Sequence, residues 1–220
     1  MIDLSKVQKR STADIAKRIV RDIPDGAHVN LGIGQPMTIS NHLPSDREIL
    51  LHSENGLLGM GPLAQAHEVD PELVNAGKQP VTMLPGASLC HHADSFVMIR
   101  GGHIDICVLG AFQVSVKGDI ANWRTGDPKA IPAVGGAMDL ALGAKKLFVM
   151  MEHLTKSGES KLVQECTYPL TALAAVDCIY TDLATIAVTP DGLVAIDWID
   201  GLTFKQLRDL SGVPMKQLVN

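Results

Sequence analysis

The stretch His28-Val29-Asn30-Leu31-Gly32-Ile33-Gly34-Gln35-Pro36 (HVNLGIGQP) decides the fold class. His28 to Leu31 alternate as a strand does, Gly32 and Gly34 open a tight turn, and Pro36 suits the first position of a helix running through Leu43. Strand, glycine turn and helix in succession are the building unit of a parallel α/β sheet. Upstream, Ser11 with Asp14 forms a capping box for a helix whose apolar stripe is Ile15, Ala16, Ile19, Val20 and Ile23, stopped at Pro24-Asp25-Gly26. Downstream, EILLH (48–52) and VTML (81–84) read as strands, and His91 to Gly102 as a helix closed by two glycines. IDICVLG (104–110) and KLFVMME (146–152) are continuous apolar runs, as strands covered on both faces must be. Between them PAVGGAMDLALGA (132–144) is a glycine turn entering a helix. CIYTD, TIAV and LVAID are further strand candidates, the last two joined by the hairpin signal Thr189-Pro190-Asp191-Gly192, and a final helix runs from Phe204 to Gly212. With no internal repeat or linker, residues 1–220 read as one α/β domain, a mostly parallel central sheet flanked by helices.

A chain of 220 residues with 46% hydrophobic content supports a substantial core. Its net charge of −5 offers no electrostatic attraction for a nucleic-acid backbone, so no nucleic-acid partner is expected. The polar start MIDLSKVQKR lacks a signal-peptide apolar region, and no run reaches membrane-spanning length. Cys90, Cys107, Cys166 and Cys178 form no CxxC pair, and Cys107 and Cys178 lie in strand-like runs as small buried residues would. A cytoplasmic protein with no membrane partner is expected.

One acid stands between a strand and a glycine-rich segment in His52–Pro62, HSENGLLGMGP. Its three glycines and Pro62 are poor strand and helix formers, so Glu54 is expected at a strand's end, in the loop that follows. Ligands collect beyond the carboxyl ends of strands in such sheets, although a solvated loop acid is the commoner occupant of the position. Gly32-x-Gly34 lacks the third glycine of a dinucleotide fingerprint, since position 37 is Met, which disfavours a Rossmann oxidoreductase. His91, His92, Asp94 and His103 invite a metal, but adjacent histidines on a helix point about 100° apart. No metal is therefore expected, and Asp94 is read as a local cap or ion-pair partner. A GxSxG elbow is missing, and Cys90 beside His91 leaves thiol chemistry open, an inert buried thiol being commoner.

LHSENGLLGMGP (51–62) resembles the active-site signature of the beta subunit of the family I coenzyme A transferases, the 3-oxoacid group. NLGIG upstream of it, and RGGHIDICVLGAFQV, KGDIANW and GGAMDL downstream, are further blocks similar to the same polypeptide, in that order. LVNAGKQPVTML, HHADSFVMIRGGH, IPAVGGAMDLALGAKK and MMEHLTKSGESKLVQECTYPLT are similar to the branch acting on 3-oxoadipate. The resemblance implies a CoA-transferase / ribose-5-phosphate isomerase-like fold. It implies an enzyme that moves CoA from succinyl-CoA to a 3-oxo acid, with Glu54 as the nucleophile of a covalent glutamyl-CoA intermediate. Asn30 and the backbone N–H of Gly135, with Gly136 beside it, are the implied contacts to carbonyl oxygens. From the residues alone, Asn30 lies in a strand leading into a glycine turn, and Gly135-Gly136 opens a helix whose N-terminus favours negative charge. Ser53, Asn55 and Gln113 are expected to support the site from behind, and Asn122 and Trp123 to support it or pack. The family also implies no permanently bound cofactor, a CoA thioester as substrate, and an alpha-subunit partner, the more so because no Lys or Arg cluster for the CoA phosphates is evident in the chain. Acetoacetate as acceptor with acetyl- or succinyl-CoA as donor, CoA-thioester hydrolysis, and non-catalytic ligand binding are the alternatives.

Overall fold

Short apolar runs that need cover on both faces are assembled into one large sheet. The computed structural model describes residues 4, 7–126 and 133–218. Its elements are α1 (Thr12–Asp22), β1 (His28–Leu31), a 3-10 helix (Gln35–His42), β2 (Leu50–Ser53), β3 (Leu57–Leu63), β4 (Val81–Leu89), α2 (His92–Arg100) and β5 (Ile106–Leu109). There follow β6 (Gln113–Ser115), β7 (Ile120–Ala121), α3 (Ala137–Gly143), β8 (Lys146–Met151), β9 (Leu162–Val163), β10 (Val176–Thr181), β11 (Ala184–Thr189), β12 (Gly192–Trp198), α4 (Phe204–Ser211) and β13 (Met215–Gln217). Ten strands form one sheet in the order β13-β12-β11-β10-β8-β5-β1-β2-β3-β4, and β7-β6-β9 form a small second sheet. The centre, β10-β8-β5-β1-β2, is parallel, as expected. Antiparallel hairpins extend it on both sides, β3 and β4 beyond β2, and β11 and β12 beyond β10.

The period of two along each strand separates two apolar clusters. On one face Val29, Leu31, Leu51, Ile106 and Val108 meet the Ile15, Ala16 and Ile19 stripe of α1. On the other Cys107, Leu109, Leu147 and Val149 meet Ile99 of α2 and Leu140 of α3. Ile19 is fully buried. Its truncation to Ala would cost about 2–5 kcal/mol and loosen α1 from the sheet. The α1 capping box forms as read, Asp14 N donating to Ser11 Oγ at 3.2 Å and Ser11 N to Asp14 Oδ2 at 3.0 Å.

Some local expectations are refined or corrected. The helix read after Gly34 is present as a 3-10 helix from Gln35 to His42, with Thr38 Oγ1 and Ser40 Oγ donating to carbonyls three residues back. Such short-range bonds favour the tighter turn. His91, not Asp94, caps α2, its ring accepting from Ala93 N at 3.1 Å. LLGMGPL is strand β3, because its glycines serve close approach: a Cβ on Gly59 would lie 2.8 Å from Ala87 Cβ of β4. Glu54 stands at the end of β2 as read, and the loop that holds it is the turn of the β2–β3 hairpin. The small second sheet and β13 had no clear sequence signal, each of their strands being two or three residues long. Pro132 lies outside the described residues. Among the described residues no helix is long and apolar enough to cross a membrane.

Candidate active site

At the carboxyl ends of the parallel strands lies a cavity of about 570 Å³. Its walls are largely apolar, with Leu109, Phe112, Trp123, Met150 and Met151 among them, and its charged lining is Glu54, Glu152 and Lys161. Gly135 and Gly136 border the same space. Carboxylates in an apolar-walled crevice lose hydration, which strengthens their interaction with any neighbouring dipole.

Glu54 is half-buried and occupies the turn that links β2 to β3, closed by Gly56 N donating to Ser53 O at 2.9 Å. Gly56 has a φ of 110°, and a Cβ there would sit 2.2 Å from the Cys90 carbonyl oxygen, so only glycine lets the turn dock against the start of α2. The flanking residues hold the turn from outside. Ser53 Oγ accepts from Ala76 N at 3.1 Å, and Asn55 Nδ2 donates to Val74 O at 2.8 Å. Ser53 and Asn55 thus tie the turn to the Val74–Ala76 segment by these bonds.

Beneath Glu54, the sheet register sets Asn30 of β1 opposite His52 of β2 and Cys107 of β5. Asn30 is completely buried, and its Nδ2 donates to His52 O at 3.2 Å and approaches Glu54 Oε2 at 3.4 Å, with His52 Nδ1 at 3.0 Å. The Cys107 thiol, 3.9 Å from Asn30 Oδ1, is pushed well above its ordinary pKa by burial and by the Glu54 charge. It stays an unreactive thiol.

Gly135, with a φ of 52°, and Gly136 lead into α3; a Cβ on Gly136 would meet Phe96 Cζ at 2.7 Å. Glycine therefore brings the backbone up to α2 and the cavity. Glu54, Gly135 and Gly136, named apart in the sequence, border one cavity, and Asn30 reaches it through its contact with Glu54. Gln113 does not join them: its amide binds Thr167 Oγ1 and accepts from Thr167 N at 2.8 Å, pinning β6 to that segment. Asn122 and Trp123, by contrast, line the cavity, with Trp123 Nε1 donating to Leu170 O at 3.2 Å.

Two groups of interest had not been singled out. Glu152 follows β8 and receives Gln35 Nε2 at 3.3 Å; burial first, then the neighbouring Asp182 carboxylate, raises its pKa. Lys161 is half-buried, and burial lowers its pKa against the pull of Glu152 and Asp182. The strand-end rule applied to Glu54 would have found Glu152 as well, in KLFVMME. Lys161 carries no such signal. Among the described residues no cluster of three metal-ligating side chains occurs, and all four cysteines are free.

With this geometry in view, comparison with known proteins is specific. A family model described as coenzyme A transferase matches residues 12–203. The chain is 61% identical over 208 residues to the B subunit of the 3-oxoadipate CoA-transferase of Pseudomonas putida, covering 94% of this chain and 97% of that one. It is 45% identical over 195 residues to the B subunit of the succinyl-CoA:3-ketoacid coenzyme A transferase of Helicobacter pylori, covering 89% and 93%. Among solved structures, an acyl-CoA transferase apoenzyme from Escherichia coli O157:H7 superposes with a TM-score of 0.75 at 17% identity, over 95% of this chain and 42% of that one. The last comparison speaks to fold alone.

Proposed function

The chain belongs to the coenzyme A transferase family, and from that premise we propose that it is the glutamate-bearing beta subunit of a 3-oxoacid CoA-transferase, moving CoA from succinyl-CoA to 3-oxoadipate. The observation that carries this reading is the position of the Glu54 carboxylate, on an apolar-walled cavity and 3.4 Å from the buried Asn30 amide.

A Glu54 oxygen attacks the thioester carbonyl of the donor, and CoA thiolate leaves, giving an acyl-glutamyl anhydride. The thiolate then attacks the Glu54 carbonyl carbon, expels succinate, and leaves a glutamyl-CoA thioester. The acceptor carboxylate attacks that thioester to form a second anhydride, and the thiolate returns to the acceptor carbonyl, freeing Glu54. Every intermediate is an anhydride or thioester, so the activation of the starting thioester persists to the product. A serine in the same place would stop at a stable ester. The Asn30 N–H and the backbone at Gly135 and Gly136 would supply donors to the oxyanions formed at each attack.

Lys161 supports a dicarboxylic acceptor. It is the single cation lining the cavity among the described residues, and a half-buried ammonium suits the carboxylate that does not react. The partner is an alpha subunit of the kind that the names of the relatives imply, and it would complete the CoA-binding surface. Acetoacetate as acceptor is the second reading, compatible with the name of the Helicobacter pylori protein, which specifies a 3-ketoacid.

The test is to expose the two-subunit complex to succinyl-CoA without acceptor, reduce with borohydride, and determine the mass of the peptide containing Glu54. Reduction localised to Glu54 is expected. An unmodified peptide from a complex that turns over would exclude the glutamyl thioester.

A further inference from the structure

Asn30 and His52 belong to neither apolar cluster, although they are 0% and 1% exposed and sit on the sheet face covered by α2. Polar groups buried in a sheet face destabilise unless each finds a partner. Here the partners form a chain. Ser95, fully buried on α2, has its Oγ 2.9 Å from His52 Nε2, and His52 Nδ1 is 3.0 Å from Asn30 Nδ2.

The protons along this chain are fixed from the Asn30 end. His52 O can only accept, so the amide atom facing it and His52 Nδ1 is Nδ2, and an N–H points at Nδ1. Nε2 then carries the ring hydrogen, the Ser95 hydroxyl accepts it at 2.9 Å, and the Ser95 proton is left for Ser53 O at a long 3.4 Å. The ring is neutral, burial foremost and the nearby His28 next holding its pKa down to about 4. Nδ1 is therefore a bare acceptor, and only an N–H can face it. The Asn30 amide is thereby turned with Nδ2 toward His52 and Glu54, and Oδ1 toward the Cys107 thiol. Flipped, its oxygen would confront both the Nδ1 lone pair and the Glu54 carboxylate.

We infer that Ser95 and His52 are positioning residues for acyl transfer, acting through Asn30 to keep an amide N–H on Glu54. Ser95 holds the ring hydrogen on His52 Nε2, the bare Nδ1 together with His52 O holds the amide orientation, and the amide serves the reacting carboxylate. Buried neighbours of reacting groups commonly act in this way, by fixing a tautomer one bond removed from the chemistry. This inference rests on the reading of Glu54 as nucleophile.

The test is a double-mutant cycle in the two-subunit complex with succinyl-CoA and 3-oxoadipate. Ser95→Ala is expected to lower kcat about tenfold with KM changed less than about twofold, and to lower it less than about twofold further when Asn30 is already Ala. Ser95→Cys, which keeps the side chain's shape with a somewhat larger atom but accepts hydrogen bonds poorly, should repeat the loss and serves if the alanine variant does not fold. Full additivity of Ser95→Ala and Asn30→Ala would overturn the inference, because a purely structural serine has no reason to need Asn30. So would an unchanged kcat in the foldable serine variant. Glu54→Ala, assayed alongside, separates the two failures. If it is inactive while the cycle is additive, only the positioning role falls; if it turns over normally, the nucleophile reading and this inference fall together.

Discussion

Glu54 Oε2 lies 3.4 Å from Asn30 Nδ2, the longest of three contacts made by an amide nitrogen with two hydrogens. In the resting site the nearer acceptors, His52 Nδ1 at 3.0 Å and His52 O at 3.2 Å, compete for those hydrogens. The contact to Glu54 is therefore weak at rest and, in the proposed reaction, has room to shorten when thiolate or acceptor attacks the glutamyl carbonyl and negative charge builds on its oxygen. Removing the amide should accordingly damage turnover more than binding. Asn30→Ala is expected to lower kcat by about 10²–10³ with KM nearly unchanged. Asn30→Asp, which sets a second carboxylate beside the first, should be worse. Steady-state kinetics of the two variants provide the check, and a loss confined to KM would contradict the assignment.

The Gly56 turn gives a prediction of a different kind. A side chain there combines a φ of 110° with a 2.2 Å approach to the Cys90 carbonyl. Gly56→Ala is expected to destabilise by about 2–4 kcal/mol, from strain and displaced backbone together, and to misplace Glu54. Asn55→Ala removes only the exposed bond to Val74 O and should cost about 1 kcal/mol. Urea midpoints of both variants, with kcat measured on the folded material, will show whether the turn matters by its backbone or by its side chains.

Lys161 separates the two acceptor readings. If its ammonium receives the distal carboxylate, Lys161→Met should raise KM for 3-oxoadipate by about 10–100-fold, the range of a charge-assisted hydrogen bond. The second reading's acceptor, acetoacetate, has no distal carboxylate and should lose less than about threefold by the same reasoning. Equal effects on both acids would assign Lys161 to the Glu152–Asp182 group alone.

How much of this was legible beforehand depends on the range of the interaction. The α1 helix announced itself because its cap, Ser11 with Asp14, and its stripe are local, and β5 and β8 because a strand covered on both faces is apolar throughout. The β3 strand was hidden because glycine at 59 and 61 answers to β4, which lies some twenty residues on in the chain. Glu54 was found by its place after a strand and by the signature around it. His52 and Ser95 were not, since their roles arise from the register of β1 with β2 and from α2 crossing above, neither of which leaves a periodic trace. Lys161 reaches the cavity only through the small second sheet, whose two- and three-residue strands carry almost no pattern.

Buried histidines also set a pH limit on the fold. His153 is completely buried, its Nε2 2.9 Å from Ser211 Oγ and its Nδ1 3.0 Å from Thr181 Oγ1. Ser211 donates its own proton to Leu207 O, so it accepts from Nε2–H, while the Thr181 oxygen already receives two backbone N–H groups. A second ring proton would find no free acceptor at Nδ1, and burial accordingly lowers the pKa from 6.5 to about 4. Below 6.5 the unfolded chain takes up a proton that the folded chain refuses. Stability is thus complete above that pH and declines as pH falls from 6.5 toward about 4, by about 3 kcal/mol at most for this histidine. His52 adds a decline over the same interval, its pKa also being lowered to about 4. The carboxylates of Asp105 and Asp139, whose pKa values are lowered by their partners, act at still lower pH. His153→Gln should therefore lower stability at pH 7 yet flatten its dependence between pH 6.5 and 4, as read from denaturant midpoints across that range. An unchanged slope in the glutamine variant would remove His153 as a cause of the acid limit.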